Sequence, residues 1–177
     1  GNASRAQMAA MLVRVFGCTA GKDIAFFSDV NRDAWYYPEL STAVQMNILS
    51  GYGDGTIGPN RSITRQEAMS VFARAFAVSD GTAADLQSFP DASGVSGWAV
   101  ASVASLVRAG IVNGDNGSLH PTASITRAEI AQMLYNLGLQ FCSDAAALPA
   151  SGRVIYTGAA PLTADAFTGT LYLGGPA

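Results

Sequence analysis

Ser62-Ile-Thr-Arg-Gln-Glu67 and Ser124-Ile-Thr-Arg-Ala-Glu129 are near copies of one hexapeptide, and Ala3-Ser-Arg-Ala-Gln7 is a frayed third. The likeness extends to either side. Phe27-Ser-Asp29, Pro59 and Arg65 recur as Phe89-Pro-Asp91, Pro121 and Arg127, each 62 positions later. A period of about 60 residues with an internal half-step implies a stacked array of like units, so the chain divides by repeat first. The expected division is the second half of a first unit at 1–17, a second unit at 18–78, a third at 79–142, and a tail at 143–177.

Each hexapeptide reads as the start of a helix. Thr64 is a good N-cap, and Glu67, three residues on, can reach back to it; Thr126 with Glu129 and Ser4 with Gln7 repeat the arrangement. Behind the caps the apolar residues fall at helical spacing: Met8, Leu12 and Phe16; Ala68, Phe72 and Phe76; Ile130, Met133 and Leu137. Three equivalent stripes predict a three-helix core with pseudo-threefold symmetry. A second helix is expected over Trp35 to Leu49 and again over Trp98 to Ile111, each stopped by a glycine-rich loop. Thr19 to Lys22 and Ser79 to Ala84 read as flexible connections. Arg153 to Thr157 and Thr168 to Leu173 read as short strands. The fold class expected is mainly α, with a short β-forming C-terminal tail.

Bulk composition narrows the function. Charged residues make up only 13% and hydrophobic residues 49%, which is a globular composition. A net charge of −3 leaves no broad basic surface for nucleic acid. No apolar run is long enough to cross a bilayer, so no membrane insertion is expected. The chain opens inside a repeat, which suggests a piece of a longer protein and makes the lack of a leader uninformative. One histidine, His120, and two unclustered cysteines, Cys18 and Cys142, predict no metal site and no cofactor. Catalysis lacks its parts. There is no nucleophile beside a base, and Glu67 and Glu129 are assigned to the caps, so no enzyme is expected.

The assembled pattern resembles the S-layer homology domain, the wall-anchoring module of many Gram-positive surface proteins. It runs from F-x-D through a tryptophan-led helix and a G-x-x-D-G-T loop to I-T-R-x-E and a second helix. The resemblance covers residues 23–78 and 85–138, plus 3–17. It implies a prism of three helical repeats around a central bundle, placed outside the cell at the wall. It implies grooves between repeats that hold an anionic, pyruvate-decorated secondary cell-wall polysaccharide. It also implies that the motif arginine contacts the pyruvate carboxylate.

The arginine is also the one motif position that capping leaves unexplained. A cation in the first helical turn opposes the positive end of the macrodipole and calls for a compensating anion. Asp29 or Asp91 within the chain could serve, or a carboxylate from outside, assisted by N–H groups at the helix start. The resemblance favours the outside anion, with Arg65 and Arg127 as principal contacts and Arg5 third. Gly51, Tyr52, Gly53, Asp54 and Thr56 of one loop, and Gly114, Asp115, Asn116 and Ser118 of the other, would line the sugar. Trp35 and Trp98 read first as core anchors and second as stacking platforms for sugar. The rival function is a protein-interaction module for lattice assembly. The incomplete first unit should bare apolar surface on its helix, to be covered by the tail, by self-association or by residues outside this stretch. Cys18 and Cys142 follow the first and third core helices, so a disulfide between them is within reach if those helices run parallel.

Overall fold

The computed structural model describes residues 1–162 and 167–174. Part of the connection between the two expected strands, residues 163–166, lies outside the described residues, as do 175–177. Helices α1 (Arg5–Phe16), α3 (Arg65–Ala75) and α5 (Arg127–Leu137) begin at the three hexapeptides. All three carry the capping box: the side chain of Ser4, Thr64 or Thr126 accepts from the N–H of Gln7, Glu67 or Glu129, whose own side chain bonds the cap backbone in return. The intervening helices are α2 (Tyr37–Gln45) and α4 (Val100–Arg108), both shorter than the apolar spacing predicts. A left-handed residue follows each, Asn47 at φ 57° and Gly110 at φ 70°, and turns the chain out of the helix. Ile48 and Leu49 past the one, and Ile111 and Val112 past the other, are buried in the core as non-helical chain.

The residues just ahead of the three capped helices close on one another. Ala3 N–H donates to Ile125 C=O at 2.8 Å, Ile125 N–H to Ile63 C=O at 3.0 Å, and Ile63 N–H to Ala3 C=O at 3.0 Å. Three equivalent segments thus form a closed ring, with Ala3, Ile63 and Ile125 buried inside it. The first helical N–H groups are spent on the next unit: Arg5 and Ala6 donate to Arg61 and Pro59 carbonyls, and Arg65 and Gln66 to Ala123 and Pro121.

The mainly α expectation is overturned. Helix covers about 36% of the chain, and a three-stranded parallel sheet stands beside it. The helices are short because left-handed residues cut them, and much of each unit goes into loops. The three capped helices converge at their N-termini, but the closest helix pairs are α1 with α2 and α3 with α4. The capped helices α1 and α3 therefore pack mainly on the leading helix of the following unit.

The sheet comprises β1 (Leu139–Cys142), β2 (Ser151–Tyr156) and β3 (Thr168–Leu173), in that order. β1 runs straight out of α5 through Gly138, at φ 66°, and pairs Phe141 with Ile155. One sheet face lies against the helices. Tyr172 sets its ring 5.9 Å from Phe16 and 5.7 Å from Phe76, and its hydroxyl donates to the Phe76 carbonyl at 2.7 Å. Arg153 Nη1 donates to the Leu137 carbonyl at 3.2 Å. The sheet thus serves the C-terminal carbonyls of α3 and α5 and covers the base of α1 and α3. Met8, Leu12, Val13 and Phe16 of α1 are all buried: α2 packs along this helix and Tyr172 of the tail reaches Phe16, so no bare apolar face remains on the first helix.

Two further expectations fail. Both cysteines are free. Cys142 packs with Val154 and Tyr156 in the small cluster formed by the tail, whereas Cys18 packs against the main core. The connections at 19–22 and 79–84 are not loose either: a Cβ on Gly81 would lie 2.0 Å from the Ser105 backbone nitrogen, and one on Gly21 would lie 2.3 Å from Ser41 Oγ. Glycine is required there because each connection lies flush on a helix.

Candidate functional site

Arg5 and Arg65 do not stand free at their helix starts. They reach across the unit boundary, each into the glycine loop of the next unit. Arg5 is 4% exposed; its Nε donates to the Ile57 carbonyl at 2.8 Å and its Nη2 to the Ser50 carbonyl at 2.8 Å. Arg65 is 7% exposed, and its Nε donates to the Leu119 carbonyl at 2.7 Å. The remaining anion is neither of the aspartates weighed from the sequence. It is the capping glutamate of the next unit. Glu67 Oε2 takes the N–H and hydroxyl of Thr64 at 2.8 Å, while its Oε1 lies 3.7 Å from Arg5 Nη1. Glu129 Oε2 caps Thr126 in the same way, and its Oε1 accepts directly from Arg65 Nη1.

Asp29 and Asp91 hold the loops instead. Asp29 accepts from the N–H groups of Ile57 and Gly58 at 3.0 and 2.7 Å, and Asp91 from those of Leu119 and His120 at 2.9 and 2.7 Å. Burial pushes the Asp91 carboxyl up, but these two hydrogen bonds outweigh it and hold the group below its ordinary value. Burial pushes the Arg65 guanidinium down, opposed by the charges of Asp115 and Asp91.

A cleft opens in front of each buried arginine. That of Arg5, about 320 Å³, is lined by Ser50, Gly51, Tyr52, Glu67, Arg74 and Trp98 among others. That of Arg65, about 400 Å³, is lined by Asn113, Gly114, Asp115, Glu129, Gln132 and Asn136 among others. The two are repeat-equivalent: Glu67 answers Glu129, Gly51 answers Gly114 and Arg74 answers Asn136. In the first, the guanidinium carbons of Arg5 and Arg61 lie 4.4 and 4.6 Å from the centre of the Tyr52 ring. The Tyr52 hydroxyl donates to Glu67 Oε1 at 3.3 Å. Burial raises this phenol, Arg5 opposes the shift and Glu67 reinforces it.

The structure sorts the expected sugar-lining residues. Gly51, Tyr52, Gly114 and Asp115 reach the clefts. Gly53, Asp54 and Thr56 do not line the Arg5 cleft; Asp54 Oδ1 accepts from the N–H and hydroxyl of Thr56 at 2.9 and 2.6 Å, a self-contained turn with Gly53 left-handed beside it. Asn116 shapes a two-residue turn with Gly117, both at positive φ, inside reciprocal bonds between Asp115 and Ser118. Arg127 is exposed and makes no side-chain hydrogen bond or ion pair among the described residues. At α1 and α3 the helix-start N–H groups expected to assist an external anion are already used by the neighbouring unit or the cap.

Both tryptophans overturn the core-anchor reading. Trp98 is 62% exposed and lines the Arg5 cleft; Trp35 is 56% exposed and rests edge-on against Tyr36. Each precedes its helix, where no neighbouring turn covers it. Arg74, Gln132 and Asn136 are cleft residues that motif reading missed. Helical spacing could have found them: Arg74 and Asn136 each lie seven residues after the capping glutamate, on the same helix face.

The S-layer homology domain family matches residues 26–69 and 88–131. The chain is 36% identical over 132 residues to the surface-layer 125 kDa protein of Lysinibacillus sphaericus, covering 72% of the chain and 11% of that protein. It is 32% identical over 138 residues to exoglucanase XynX of Acetivibrio thermocellus, covering 76% and 13%. It is 34% identical over 122 residues to the S-layer protein EA1 of Bacillus anthracis, covering 67% and 14%. The chain thus spans only a small part of these relatives. None of the helices among the described residues is long and apolar enough to cross a membrane. With two matched repeats and surface-layer proteins among its relatives, the chain belongs to the S-layer homology domain family and is a module of the cell surface.

Proposed function

We propose that this module attaches the protein carrying it to the bacterial cell wall without a covalent bond, by holding an anionic, pyruvate-bearing wall polysaccharide in its inter-unit clefts. The observation that carries the reading is the Arg5 cleft, where guanidinium groups, a tyrosine hydroxyl and an exposed tryptophan converge at a unit boundary. Arginine forks and aromatic faces are what carboxylated sugars require. The same stretch is shared by surface-layer proteins and by a protein named an exoglucanase, so it is the part that differing activities have in common. It acts as an anchor and not as a catalytic domain. Weak clefts used together would retain a large protein through high effective concentration.

The test is co-sedimentation of the purified chain with cell walls, before and after acid removal of the pyruvate ketal. Binding should fall strongly after removal; unchanged binding would refute the carboxylate mechanism. The rival reading, a contact between protein copies, draws on Tyr135 and Phe141, which are 80% and 64% exposed on either side of the α5–β1 junction. It predicts concentration-dependent self-association in sedimentation velocity that Tyr135→Ser with Phe141→Ser abolishes.

A further inference from the structure

We infer that the two clefts divide one glycan between them by charge. The Arg5 cleft takes the sugar bearing a carboxylate, and the Arg65 cleft takes an uncharged acetamido sugar and turns the acid away. This rests on the glycan-anchoring reading above and adds which cleft receives which residue.

The difference lies at one repeat-equivalent helix position. Arg74 Nη1 donates to the Ile48 carbonyl at 3.3 Å, and Asn136 Nδ2 donates to the Ile111 carbonyl at 2.9 Å. Ile48 and Ile111 end the same turn of successive units, so the two side chains occupy the same wall. One cleft has a cation there, and the other an amide. Arg74 is exposed and has no carboxylate partner among the described residues, so its charge is available to a ligand.

The motif arginines differ in the same direction. Arg5 Nη1 stands 3.7 Å from Glu67 Oε1, an oxygen that also accepts from Tyr52. Arg65 Nη1 is in direct contact with Glu129, and Asp115 adds a second carboxylate to the lining. An incoming carboxylate therefore meets Arg5 and Arg74 against a single glutamate in one cleft. In the other it meets one arginine, already engaged, against two carboxylates. Like charges at such range repel, and this is selection by exclusion as much as by attraction.

The Arg65 cleft offers a different chemistry. Gln132 Nε2 donates to Asn136 Oδ1 at 2.7 Å, which leaves the Gln132 carbonyl free, and Asn113, whose Nδ2 gives one N–H to the Gly110 carbonyl at 3.5 Å, keeps its other N–H and its carbonyl in the cleft lining. Amide groups present donor and acceptor side by side, which matches the N–H and C=O of an acetamido group. Met69, Ile125 and Met133 supply apolar lining for its methyl.

The experiment is a titration of the isotopically labelled 177-residue chain, followed by amide NMR. The probes are the methyl glycoside of N-acetylglucosamine and its 4,6-O-(1-carboxyethylidene) ketal. The Gly51 amide reports on the Arg5 cleft and the Gly114 amide on the other. We expect the acid to bind at Gly51 about tenfold more tightly than at Gly114, the worth of one charge-assisted hydrogen bond. The neutral sugar should favour Gly114. Arg74→Asn should remove the acid preference at Gly51, and Asn136→Arg with Asp115→Asn should bring the acid to Gly114. Equal affinity of the acid at both glycines, or no change on Arg74→Asn, would overturn the division while leaving glycan binding intact. If neither probe moves either amide, the anchoring reading falls, and this inference with it.

Discussion

Removing the Arg65 side chain should cost folding stability, although the residue belongs to a candidate binding cleft. Arg65→Ala deletes the donor to the Leu119 carbonyl at 2.7 Å, in a setting only 7% exposed. A charged hydrogen bond of this kind contributes about 1.5–3 kcal/mol, and its loss leaves a buried acceptor unpaired. The contact with Glu129 adds less. That carboxylate side chain is 37% exposed and the cleft admits water, so at most about 1 kcal/mol is expected from the pair. The combined loss of about 2–4 kcal/mol corresponds to a fall in Tm of roughly 4–16 °C for a domain of this size. Arg127→Ala, at an exposed side chain, should stay within about 0.5 kcal/mol of wild type. Thermal and urea unfolding followed by circular dichroism measure both. Arg65→Lys should fall between, since an ammonium keeps the charge but cannot span both partners. If Arg65→Ala and Arg127→Ala melt within about 2 °C of each other, the bracing role assigned to Arg65 is wrong.

Asp91→Asn should loosen the third-unit loop by about 1–3 kcal/mol, since it removes a charged acceptor for two N–H groups; faster hydrogen exchange at Leu119 and His120 is the local signature. Acid should act through the aspartates. Asp23 is lowered from 3.8 to about 2, chiefly by the Tyr37 hydroxyl, and Asp54, Asp85 and Asp91 are lowered too. The unfolded chain takes up these protons first, so the stability they supply is complete above their ordinary value of 3.8 and lost as pH falls toward about 2. Melting points recorded through that window should decline, and a flat profile would contradict the assignment. Tyr172→Phe keeps the ring against Phe16 and Phe76 but loses the 2.7 Å bond to the Phe76 carbonyl, for a cost of about 1 kcal/mol readable in the urea midpoint.

What could be read from the sequence was local or periodic. Each capping box is a contact over three residues, and all three form. The arginine partners were not legible, because Ile57 lies 52 residues from Arg5 and Leu119 lies 54 from Arg65. Counting Glu67 and Glu129 as used by their caps overlooked that a carboxylate has two oxygens and that the second can face elsewhere. β1 escaped notice because Leu139-Gln-Phe-Cys142 is too short to show a period, and it is a strand only because Ser151–Tyr156 pairs with it. The tryptophans were misjudged for a related reason. Size and aromaticity argue for burial, but Trp98 sits ahead of its helix at the rim of a cleft.

The ring of backbone bonds through Ala3, Ile63 and Ile125 sets this module apart from open repeat arrays. In a linear stack each unit meets only its neighbours, and pieces can melt or be added one at a time. Here the first segment grips the last, so a fourth unit could not be inserted without breaking the closure. The residues that meet are more than a hundred positions apart at the widest joint, Ala3 with Ile125. Such long-range closure should make folding slow and loss of structure all-or-none. For a tether under load at an exposed surface, that is a useful failure mode: the grip holds entire or lets go entire.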